Sequence, residues 1–572
     1  MVQTTCTQCG SSFEITEDDL TFYEQVSPVF PSTTIRTGND KKYLIPPPKC
    51  CPDCRQQRRL AMCNEQNLYN SSCDLCKKEM ISQFQPNQTF PVYCRDCWHS
   101  DKWDTLSYGR DYDFSKPFFE QFAELQKTVP AQGRDVQGTL VNCEYIHFAG
   151  YSKNCYLIMH ADFCEDCMYG YGFKKNIACI DGFYNLHSEL CYECIDAHKC
   201  YELVGSQECV NCSSSWFLRD CIGCKNCILC TGLRDKEYCI ENQQYSKEDY
   251  MAKKKEMDLG SYETYQRLKA RLKNLELKHT FKEYQGHNLQ NCSGNHLYNC
   301  KNTFESYDCE DTEDCKYCYQ MVLSSKNIRD TYQYGTNLQE SLECCICGEN
   351  GYHILFCFGG HVDSTDLAYC WYTESCKDCF GCTFMHHQRY CILNKQYTKE
   401  EYEELVPKII EHMQSTGEWG EHFPMKNSFF GYNHTTADLY YPLSKEEAQQ
   451  QGARWSDYEP PPPKVEKIIP ADRLPDNIDD IPDDILNWAI TCEVTGKPFI
   501  ITQQELRFYR QMRIPIPHRN WQQRQLERFN KRNPRKLFSR ECNKCKKEIE
   551  TTYAPDRPEK VYCEECYLKE VY

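Results

Sequence analysis

The cysteines of the central region recur at a fixed spacing, which restricts the fold more than any other feature of the sequence. From Cys143 to Cys239 there are fifteen cysteines, and the separation between any two of them is a multiple of three. Many steps are nine residues long, as from Cys221 to Cys230 and on to Cys239. A short fixed period with tyrosine, valine and isoleucine around each cysteine predicts a β-solenoid whose cysteines stack inward.

A second stretch repeats this pattern nearer the C-terminus. Its cysteines again lie nine residues apart, although their register shifts between blocks. Without gaps, the segment Cys224 to Tyr250 matches the segment Cys376 to Tyr402 at an offset of 152. We therefore predict a core of two cysteine-repeat units, each closed by a helix that begins after Ser246 or Thr398.

The sequence leaves three interpretations of the repeated cysteines open. Buried free cysteine behaves as a small hydrophobe, so a ladder of thiols could fill a narrow core. Metal ligation by some C-x2-C groups is the second interpretation, and redox chemistry is the third. Further metal in the core would be held best by one group and its repeat: Cys224, Cys227, Cys230 with Cys239, and Cys376, Cys379, Cys382 with Cys391.

Four-cysteine patterns at both ends of the chain indicate structural zinc. A C-x2-C turn places two thiolates on one side of a tight loop, and two such turns together form the tetrahedral sulfur site that zinc prefers. Two ribbons have seventeen residues between their pairs and match at a constant offset of 469, while an N-terminal module has a longer loop between its pairs. We expect three Zn²⁺ ions, with these ligands: Cys6, Cys9, Cys51, Cys54; Cys73, Cys76, Cys94, Cys97; Cys542, Cys545, Cys563, Cys566.

The N-terminal module has a degenerate copy. The segment Cys6 to Tyr23 matches the segment Cys492 to Tyr509 at an offset of 486, but the copy has Thr495 at the second cysteine position and no second pair. We predict that the copy binds no zinc. Its fold would then rest on four apolar side chains: Phe499, Leu506, Phe508 and Tyr509. Cys50 adjoins Cys51 outside any C-x2-C turn and is predicted to be a spare thiol.

The N-terminal module also carries the motifs of a known family. They are C-x2-C-G-x2-F from Cys6 to Phe13, then Phe22-Tyr23, then P-x2-C-P-x-C-R from Pro48 to Arg55. Here the sequence resembles the bacterial "probable zinc-ribbon" domain, with an insertion from Thr34 to Asn39. The resemblance covers about the first 65 residues and, degenerately, residues 492 to 530; the complete arrangement resembles large uncharacterised multi-ribbon proteins of bacteria. The resemblance to this family implies zinc binding and does not imply any enzymatic activity.

The charge of the chain is acidic overall, with one basic segment. A formal net charge of −17 argues against a protein that coats nucleic acid over its whole surface. Residues 507 to 540, however, hold eleven Lys or Arg against one acid, interleaved with aromatic residues, a combination that suits single-stranded nucleic acid. Alternatively, the segment neutralises a zinc site or docks on the acidic linker. The candidate nucleic-acid contacts are Arg507, Arg510, Arg513, Arg519, Trp521, Arg524, Arg528 and Arg532.

Domain boundaries follow from the repeats and from composition. A short helix with Phe118, Phe119 and Phe122 is expected to pack the N-terminal tandem onto the core, and the charged segment Tyr262 to Lys282 is expected to be a solvated connector. The predicted segments are a zinc module at 1–64, a four-cysteine ribbon at 65–114, a helical linker at 115–140, repeat unit 1 at 141–245, a helical connector at 246–290, repeat unit 2 at 291–397, a helix and covering segment at 398–458, a Pro-rich and acidic linker at 459–490, the metal-free basic copy at 491–536 and a second ribbon at 537–572.

These features predict a multidomain, mainly β fold with short helices, in which zinc ribbons at both ends flank a duplicated, cysteine-rich, β-solenoid-like core. We expect a cytoplasmic location because no secretory signal precedes Cys6. No membrane association is expected either, because no window carries 18 or more apolar residues.

The sequence contains no phosphate loop, nucleophile elbow or H-E-x2-H helix, so we expect a non-enzymatic interaction or scaffold protein with a protein partner. The alternatives are a nucleic-acid or ribosome-associated factor that uses residues 507–540 and a thiol-rich metal-storage or redox protein. The pathway and the oligomeric state stay open.

Overall fold

The chain forms two units, each built from distant parts of the sequence. Unit 1 comprises Met1–Arg134 and Tyr284–Tyr458, and unit 2 comprises Asp135–Glu283 and Glu459–Tyr572. The computed structural model describes residues 2–31, 40–360 and 362–571, so the predicted insertion from Thr34 to Asn39 lies outside the described residues. Each unit contains one solenoid and one tandem of small modules: the N-terminal tandem belongs with the second solenoid, and the C-terminal tandem belongs with the first.

The predicted β-solenoid is confirmed in both repeat regions. Almost all strand pairs within them are parallel, as expected for a coil that stacks on itself. The first solenoid, in unit 2, has strands Val136–Gln137, Ile146–Gly150, Ile158–Asp162, Ile195–His198, Tyr201–Val204, Gln207–Val210, Ser213–Ile222, Lys225–Thr231, Glu237–Ile240 and Gln243–Gln244. Between Asp162 and Ile195 the coil continues through single parallel bridges.

Each turn of the first solenoid contains twelve residues. Parallel partners such as Ile146 and Ile158 lie twelve positions apart. Every third residue is a corner with positive φ, for example Asn154, Leu157 and His160 at 53°, 50° and 53°. A turn therefore has four sides of three residues, and one side chain per side points inward. The nine-residue steps between cysteines span three of these sides.

The corners are stabilised by backbone hydrogen bonds to both neighbouring turns. Left-handed backbone costs about 1–2 kcal/mol for each residue other than glycine. At one corner, Lys153 N–H donates to Cys164 O of the next turn at 2.9 Å, and Asn154 N–H donates to Val141 O of the preceding turn at 2.8 Å. The stacked coil can therefore hold many non-glycine residues in a conformation that an isolated turn would not maintain.

The interior of the solenoid is narrow: Phe173 fits there beside Gly170 and Gly182, whereas most inward positions hold small side chains. Cysteine suits this interior for two reasons. The thiol is small and apolar, and it also donates a weak hydrogen bond. Cys167 Sγ lies 3.3 Å from Glu165 O and 3.5 Å from Asn176 O. Ser188, at another inward position, places its hydroxyl against carbonyls two residues before it and nine residues after it, both at 3.1 Å. The interpretation of the core cysteines as packing thiols is therefore the one that the geometry favours.

We expect the interior thiols to resist alkylation until the protein unfolds. Cys200 and Cys315 are almost fully buried, and burial raises the pKa of both thiols well above the usual range. The reactive thiolate is therefore scarce and inaccessible in the folded state. Mass spectrometry after N-ethylmaleimide treatment, with and without urea, should label both cysteines only in urea. Labelling of either one in the folded protein would contradict this description of the core.

The second solenoid, in unit 1, has turns of unequal length. Lys301 and Glu313 are partners twelve positions apart, whereas Glu313 and Lys326 are thirteen apart. Thirteen-residue turns continue to Thr365, where the separation returns to twelve. One extra residue per turn explains the register shift in the cysteine pattern. The strands of the second solenoid are Gly286–His287, Gly294–Tyr298, Lys301–Phe304, Ser306–Glu310, Glu313–Leu323, Lys326–Tyr332, Gln339–Cys345, Tyr352–Leu355, Phe358–Gly360, Thr365–Ala368, Trp371–Glu374, Lys377–Phe380, Thr383–His386, Arg389–Ile392 and Lys395–Gln396.

Both solenoids end in the same asparagine cap. The side-chain amide of Asn242 donates to Thr231 O at 2.8 Å and accepts from Thr231 N–H at 2.9 Å. Asn394 makes the same pair of hydrogen bonds with Thr383, both at 2.8 Å. The amide thus replaces the backbone of a further turn and prevents an unpaired edge from forming. A helix follows each cap, beginning after Ser246 or Thr398 as predicted.

The helices of the described residues cover the solenoids and complete the small modules. They are α1 Glu17–Gln25, α2 Pro52–Leu60, α3 Arg95–Trp98, α4 Phe118–Gln126, α5 Lys247–Glu256, α6 Tyr262–Glu276, α7 Lys399–Thr416, α8 Thr436–Tyr440, α9 Lys445–Gln450, α10 Gln503–Met512, α11 Trp521–Lys531 and α12 Glu564–Val571. As predicted, α4 packs on the core: the Phe118 ring lies 5.3 Å from the Tyr369 ring and 5.5 Å from the Phe380 ring of the second solenoid. No described helix is long and apolar enough to cross a membrane.

Two segments predicted to be connectors are packed parts of unit 2. Helix α6 is not solvated, because it buries Tyr265, Leu268 and Leu272, and Tyr265 Oη donates to Glu193 of the first solenoid at 2.9 Å. The predicted Pro-rich and acidic linker contains the strand Lys467–Pro470, which pairs in parallel with Trp488–Thr491. The Pro-rich part, residues 459–465, contains no helix or strand and is mostly exposed. The acidic part is packed, because Ile478, Ile481 and Ile485 are each buried, at positions that show no periodicity in the sequence.

The remaining strands belong to the small modules. In unit 1 they are Val2–Thr5, Ser12–Ile15, Val29–Phe30, Lys41–Lys42, Tyr69–Ser72, Glu79–Ser82, Val92–Tyr93 and Ala131–Gln132. In unit 2 they are Thr280–Lys282, Lys467–Pro470, Trp488–Thr491, Pro498–Ile500, Phe538–Glu541, Glu548–Thr551 and Lys560–Tyr562. Thr280–Lys282 pairs in parallel with Lys560–Tyr562 and so joins the second ribbon to the segment after α6.

Candidate metal centres

All three predicted four-cysteine groups come together in the fold. In each group the four Sγ atoms lie within 4.8 Å of one another. The groups are Cys6, Cys9, Cys51 and Cys54; Cys73, Cys76, Cys94 and Cys97; and Cys542, Cys545, Cys563 and Cys566. These are the twelve residues that the sequence predicts as metal ligands, so the structure assembles each predicted group without an added or missing member.

The same local structure positions the first cysteine pair in every module. A strand enters the C-x2-C turn, and the turn ends at a residue with positive φ, for example Gly10 at 74° and Lys77 at 64°. The N–H of this residue donates to the carbonyl of the first cysteine: Lys77 N to Cys73 O at 2.8 Å. The left-handed residue turns the chain back so that both thiols face the same side.

The second pair lies at the start of a helix in the two unit 1 sites. Cys51 is the N-cap of α2 and Cys94 is the N-cap of α3, and the pair is completed by Cys54 and Cys97 inside the first turn. Because a helix N-terminus carries a partial positive charge, this position favours thiolate over thiol. The helix therefore helps to hold the negative charge that a metal site needs.

The sulfur geometry fits a tetrahedral metal ion. With Zn–S bonds of about 2.3 Å, a regular tetrahedron has S···S edges of about 3.8 Å. The Sγ atoms of Cys9 and Cys51 are 3.7 Å apart, and the corresponding distances are 3.8 Å in the first ribbon and 3.7 Å in the second. A disulfide would need an S–S separation of about 2.05 Å. The groups could therefore hold three metal ions, one each.

Backbone amides favour ionisation of the first cysteine in each ribbon. Burial raises the pKa of Cys73, but the N–H groups of Cys76 and Cys94 point at its Sγ from 3.5 and 3.3 Å and lower the pKa to about 7. At Cys542, burial again opposes amide hydrogen bonds, among them that from Cys563 N–H at 3.3 Å, and the pKa falls to about 6. Since thiolate is the form that binds metal, the first cysteine is the ligand that the backbone of each ribbon favours for metal binding.

Hydrogen bonds occupy the metal position in the degenerate copy. Within residues 491–536, all of which are described, no group of candidate metal ligands occurs. Asn520 is the N-cap of α11, the place that Cys51 takes in α2. Its Nδ2 donates to Thr495 Oγ1 at 3.1 Å. The predicted apolar residues are buried: Phe499, Leu506, Phe508 and Tyr509.

We expect the copy to contribute nothing to the metal content. Cys492→Ala should leave the number of bound metal ions unchanged, because Cys492 stands beside a threonine and an asparagine rather than three thiols. Its counterpart Cys6→Ala should lower that number by one. Elemental analysis of the two purified variants makes the comparison, and a loss of metal from Cys492→Ala would show that the ligand assignment is wrong.

Cysteines outside the three groups do not form further centres in the described residues. Within the solenoid, C-x2-C places two thiols on adjacent sides of a turn, so Cys224, Cys227 and Cys230 point inward from three different sides. The proposed core group and its repeat are accordingly not among the sulfur clusters. Cys50 lies outside the first cluster, with its Sγ 3.5 Å from Thr7 Oγ1, as expected for a spare thiol.

Buried arginines, which the sequence analysis missed, attach the first module to the second solenoid. Arg55 forms a two-pronged ion pair with Asp330 at 3.0 and 2.8 Å, and Arg59 contacts Glu343 at 2.5 Å and Asp330 at 3.2 Å. All four side chains are at most 5 % exposed. Asp330 and Glu343 occupy corners of adjacent turns.

Unit 2 repeats this attachment with the residues that we had predicted to contact nucleic acid. Arg524 and Arg528 lie 469 positions after Arg55 and Arg59, the same offset as the ribbons. They are buried and pair with Asp181 of the first solenoid at 2.8 and 3.0 Å, and Arg532 pairs with Asp196 at 3.1 Å. These three arginines are therefore not available to a phosphate in this fold. The offset of 469 residues, which Arg524 and Arg528 share with the ribbons, could have identified them in the sequence as repeats of Arg55 and Arg59.

The other predicted contacts of the basic segment are nearer the surface. Arg510 and Arg513 are exposed and pair with Asp483 and Asp479 of the acidic segment, at 2.6 and 2.8 Å, as the docking alternative expected. The remaining three behave differently: Arg507 is exposed, Arg519 pairs with Glu493 and Glu527, and Trp521 stacks on Tyr169.

Comparisons with known proteins add no assignment. No protein-family model and no curated protein matches the chain. One solved structure that matches, described as a "putative acetyltransferase from Desulfovibrio desulfuricans G20", is 8% identical, and the match covers 49% of this chain and 81% of that one. Its TM-score of 0.10 is too low to support an argument about fold or function. The resemblance of the first module to a zinc-ribbon family stays a prediction.

Proposed function

We propose that this protein is a non-enzymatic scaffold in which three Zn²⁺ ions shape small modules that brace two β-solenoids. The observation that carries the proposal is the convergence of four thiols in each of three groups, with all Sγ atoms of a group within 4.8 Å of one another and one S···S distance in each group of 3.7 to 3.8 Å. Four thiolates are the ligand set of structural zinc sites in zinc ribbons. Because they fill every position of the tetrahedron, no position is left for water or substrate, and the zinc would not catalyse.

The role of the zinc would be to hold the docking arginines in place. Arg55 follows the ligand Cys54 directly in α2, and Arg59 lies one helical turn further on. The same helix thus carries a metal ligand at its start and the ion pairs to Asp330 and Glu343 along its length. A metal ion that fixes the start of α2 therefore also fixes the position of both guanidinium groups.

The solenoids would supply the surface for a protein partner. A stacked coil presents the same outer position at every turn, which creates long regular faces. On the first solenoid, the rings of Tyr151 and Phe163 stack 4.9 Å apart while about half of each side chain is exposed. Exposed aromatic residues of this kind are enriched in protein interfaces. The thiol hydrogen bonds of the core require reduced cysteine, which supports a cytoplasmic location.

Metal analysis of the purified chain tests the proposal. Inductively coupled plasma mass spectrometry should find three zinc ions per chain, one for each sulfur group. Iron, cobalt and nickel should be absent or present in traces. A preparation that contains no zinc although the twelve thiols are reduced, or one whose main metal is iron, would refute the zinc assignment.

A further inference from the structure

Unit 1 contains a cavity of about 320 Å³ between the second solenoid and helix α7. One wall is formed by corner residues of successive solenoid turns, namely Glu340, His353, Asp366 and Asp378. The side of the cavity that α7 forms is largely apolar and includes Val406 and Ile410. The volume lies at the lower end of the range of small-molecule binding sites, about 300–1,000 Å³. No contact described so far uses this cavity.

Two carboxylates on adjacent turns of this wall are only partly paired. Asp366 Oδ1 lies 2.9 Å from His353 Nδ1, and Asp378 Oδ2 accepts from Nε of the exposed Arg389 at 3.3 Å. The other oxygens, Asp366 Oδ2 and Asp378 Oδ1, make no hydrogen bond among the described residues. Each aspartate therefore offers the cavity one free acceptor.

The hydroxyl of Tyr402 is an unpaired polar group on the opposite wall. Tyr402 is 6% exposed, and its Oη makes no hydrogen bond among the described residues. At the corresponding position of unit 2, the Oη of Tyr250 is also unpaired but is fully enclosed, whereas the Tyr402 hydroxyl retains accessible surface and lines the cavity. Because buried polar groups are paired in the large majority of cases, this hydroxyl indicates a missing partner.

The solenoid fold does not require the acidic pair. At the offset of 152 residues that relates the two solenoids, Asn226 of unit 2 takes the place of Asp378, and Ser214, one turn earlier, takes the place of Asp366. Both residues of unit 2 are corners with positive φ, like their acidic counterparts. The carboxylates therefore distinguish the unit 1 cavity from a unit 2 surface of the same backbone.

The arrangement suits an organic cation better than a metal ion. Among the described residues, His353, Asp366 and Asp378 do not form a group close enough to hold one metal ion. A primary ammonium group carries three N–H donors. The two free carboxylate oxygens and the Tyr402 hydroxyl supply three acceptors, and the apolar wall beside them suits a hydrocarbon chain.

We propose that this cavity binds a small primary amine as its ammonium ion. The ammonium group would donate to Asp366 Oδ2, Asp378 Oδ1 and Tyr402 Oη, and the hydrocarbon part would contact Val406 and Ile410. This inference rests on the fold of unit 1 and is independent of the proposed scaffold role.

Probes of one chain length test the need for a positive charge. We would titrate the full-length, metal-loaded protein with pentylamine, pentan-1-ol and pentanoate by saturation-transfer NMR. Pentylamine should bind saturably at millimolar concentration, and the alcohol and the acid at least tenfold more weakly, because hydrogen bonds to charged groups are the stronger ones. The proposal is wrong if the amine does not saturate, if the alcohol binds as tightly, or if equimolar Ca²⁺ abolishes amine binding.

Variants of the cavity wall locate the binding site. Asp378→Asn, which introduces the residue of unit 2, and Tyr402→Phe should each weaken pentylamine binding by about tenfold. The matched controls are Tyr250→Phe, which removes the enclosed hydroxyl of unit 2, and Glu313→Gln, which removes a surface carboxylate of the same solenoid. Both controls should leave the affinity unchanged. If a wall variant binds as the wild type does, or a control weakens binding equally, the proposal fails.

Thermal unfolding separates a ligand site from a structural carboxylate. Burial and then the charge of Asp366 raise the pKa of Asp378, so its ionised form costs stability at neutral pH. Without ligand, Asp378→Asn should therefore leave the thermal midpoint unchanged or raise it. Pentylamine should raise the midpoint of the wild type and not that of the variant. A lower ligand-free midpoint of Asp378→Asn would show that the carboxylate serves the fold and would overturn the proposal.

Discussion

Replacing Asp330 with asparagine should lower the free energy of unfolding of unit 1 by about 3–5 kcal/mol. The carboxylate of Asp330 is 1% exposed and receives hydrogen bonds from both Arg55 and Arg59. Without it, the two buried guanidinium groups share the single carboxylate of Glu343. Urea unfolding followed by circular dichroism measures the difference between the variant and the wild type.

The matched control for this prediction is Glu313→Gln. Glu313 is also a carboxylate with two cationic partners on the second solenoid, Lys301 and Lys326 at 2.8 and 3.0 Å, but it lies at the surface. Ion pairs at the surface add little to stability because water screens them. We therefore expect the control to unfold close to the wild-type midpoint. Equal effects of the two substitutions would show that burial of the Asp330 network does not determine the attachment of the first module.

Replacing Cys51 with serine should remove one metal ion and unfold the first module. In zinc-finger peptides the bound ion contributes about 10–16 kcal/mol to folding, so loss of one ligand should cost several kcal/mol of this module's stability. Serine retains the N-cap position of α2, where Cys51 now stands, so the helix start itself is not penalised. The metal content and the protease sensitivity of residues 40–64 are the two measurements.

The adjacent Cys50 provides the control. Cys50→Ser changes a buried thiol that lies 3.5 Å from Thr7 Oγ1 and outside the sulfur group. Metal content and protease sensitivity should both stay near those of the wild type. If Cys50→Ser loses the ion while Cys51→Ser keeps it, the ligand assignment at this site has the two cysteines reversed.

The sequence predicted the parts of this fold that repeat. Ligand spacing in C-x2-C pairs is set within short turns, so Cys73 to Cys97 and Cys542 to Cys566 could be assigned from their spacing alone. The inward cysteines reveal the solenoid because one side chain in three faces the interior. The turn length of twelve could not be obtained in the same way, since corners every three residues make steps of three, nine and twelve equally compatible with the pattern.

The contacts between distant segments could not be predicted in this way. Nothing local to Arg55 or Arg524 indicates that each will be buried against an aspartate of a solenoid, because the partner lies 275 residues away in the first case. A basic helix with aromatic residues has the same composition whether it binds nucleic acid or an acidic surface of its own chain. The 469-residue offset shared by these arginines and the ribbons was the available signal, and it marks structure that both units retain.

Hydrogen exchange before and after metal removal tests the central claim most directly, namely that metal holds the small modules in the form that braces the solenoids. Zinc-loaded protein and protein stripped with a chelator under reducing conditions would be compared by mass spectrometry. We predict that residues 2–31, 40–98 and 540–571 lose amide protection, while the stacked turns of the second solenoid, residues 294–360 and 362–392, retain most of theirs. If the modules remain protected without metal, or if the solenoid loses its protection first, the account is wrong.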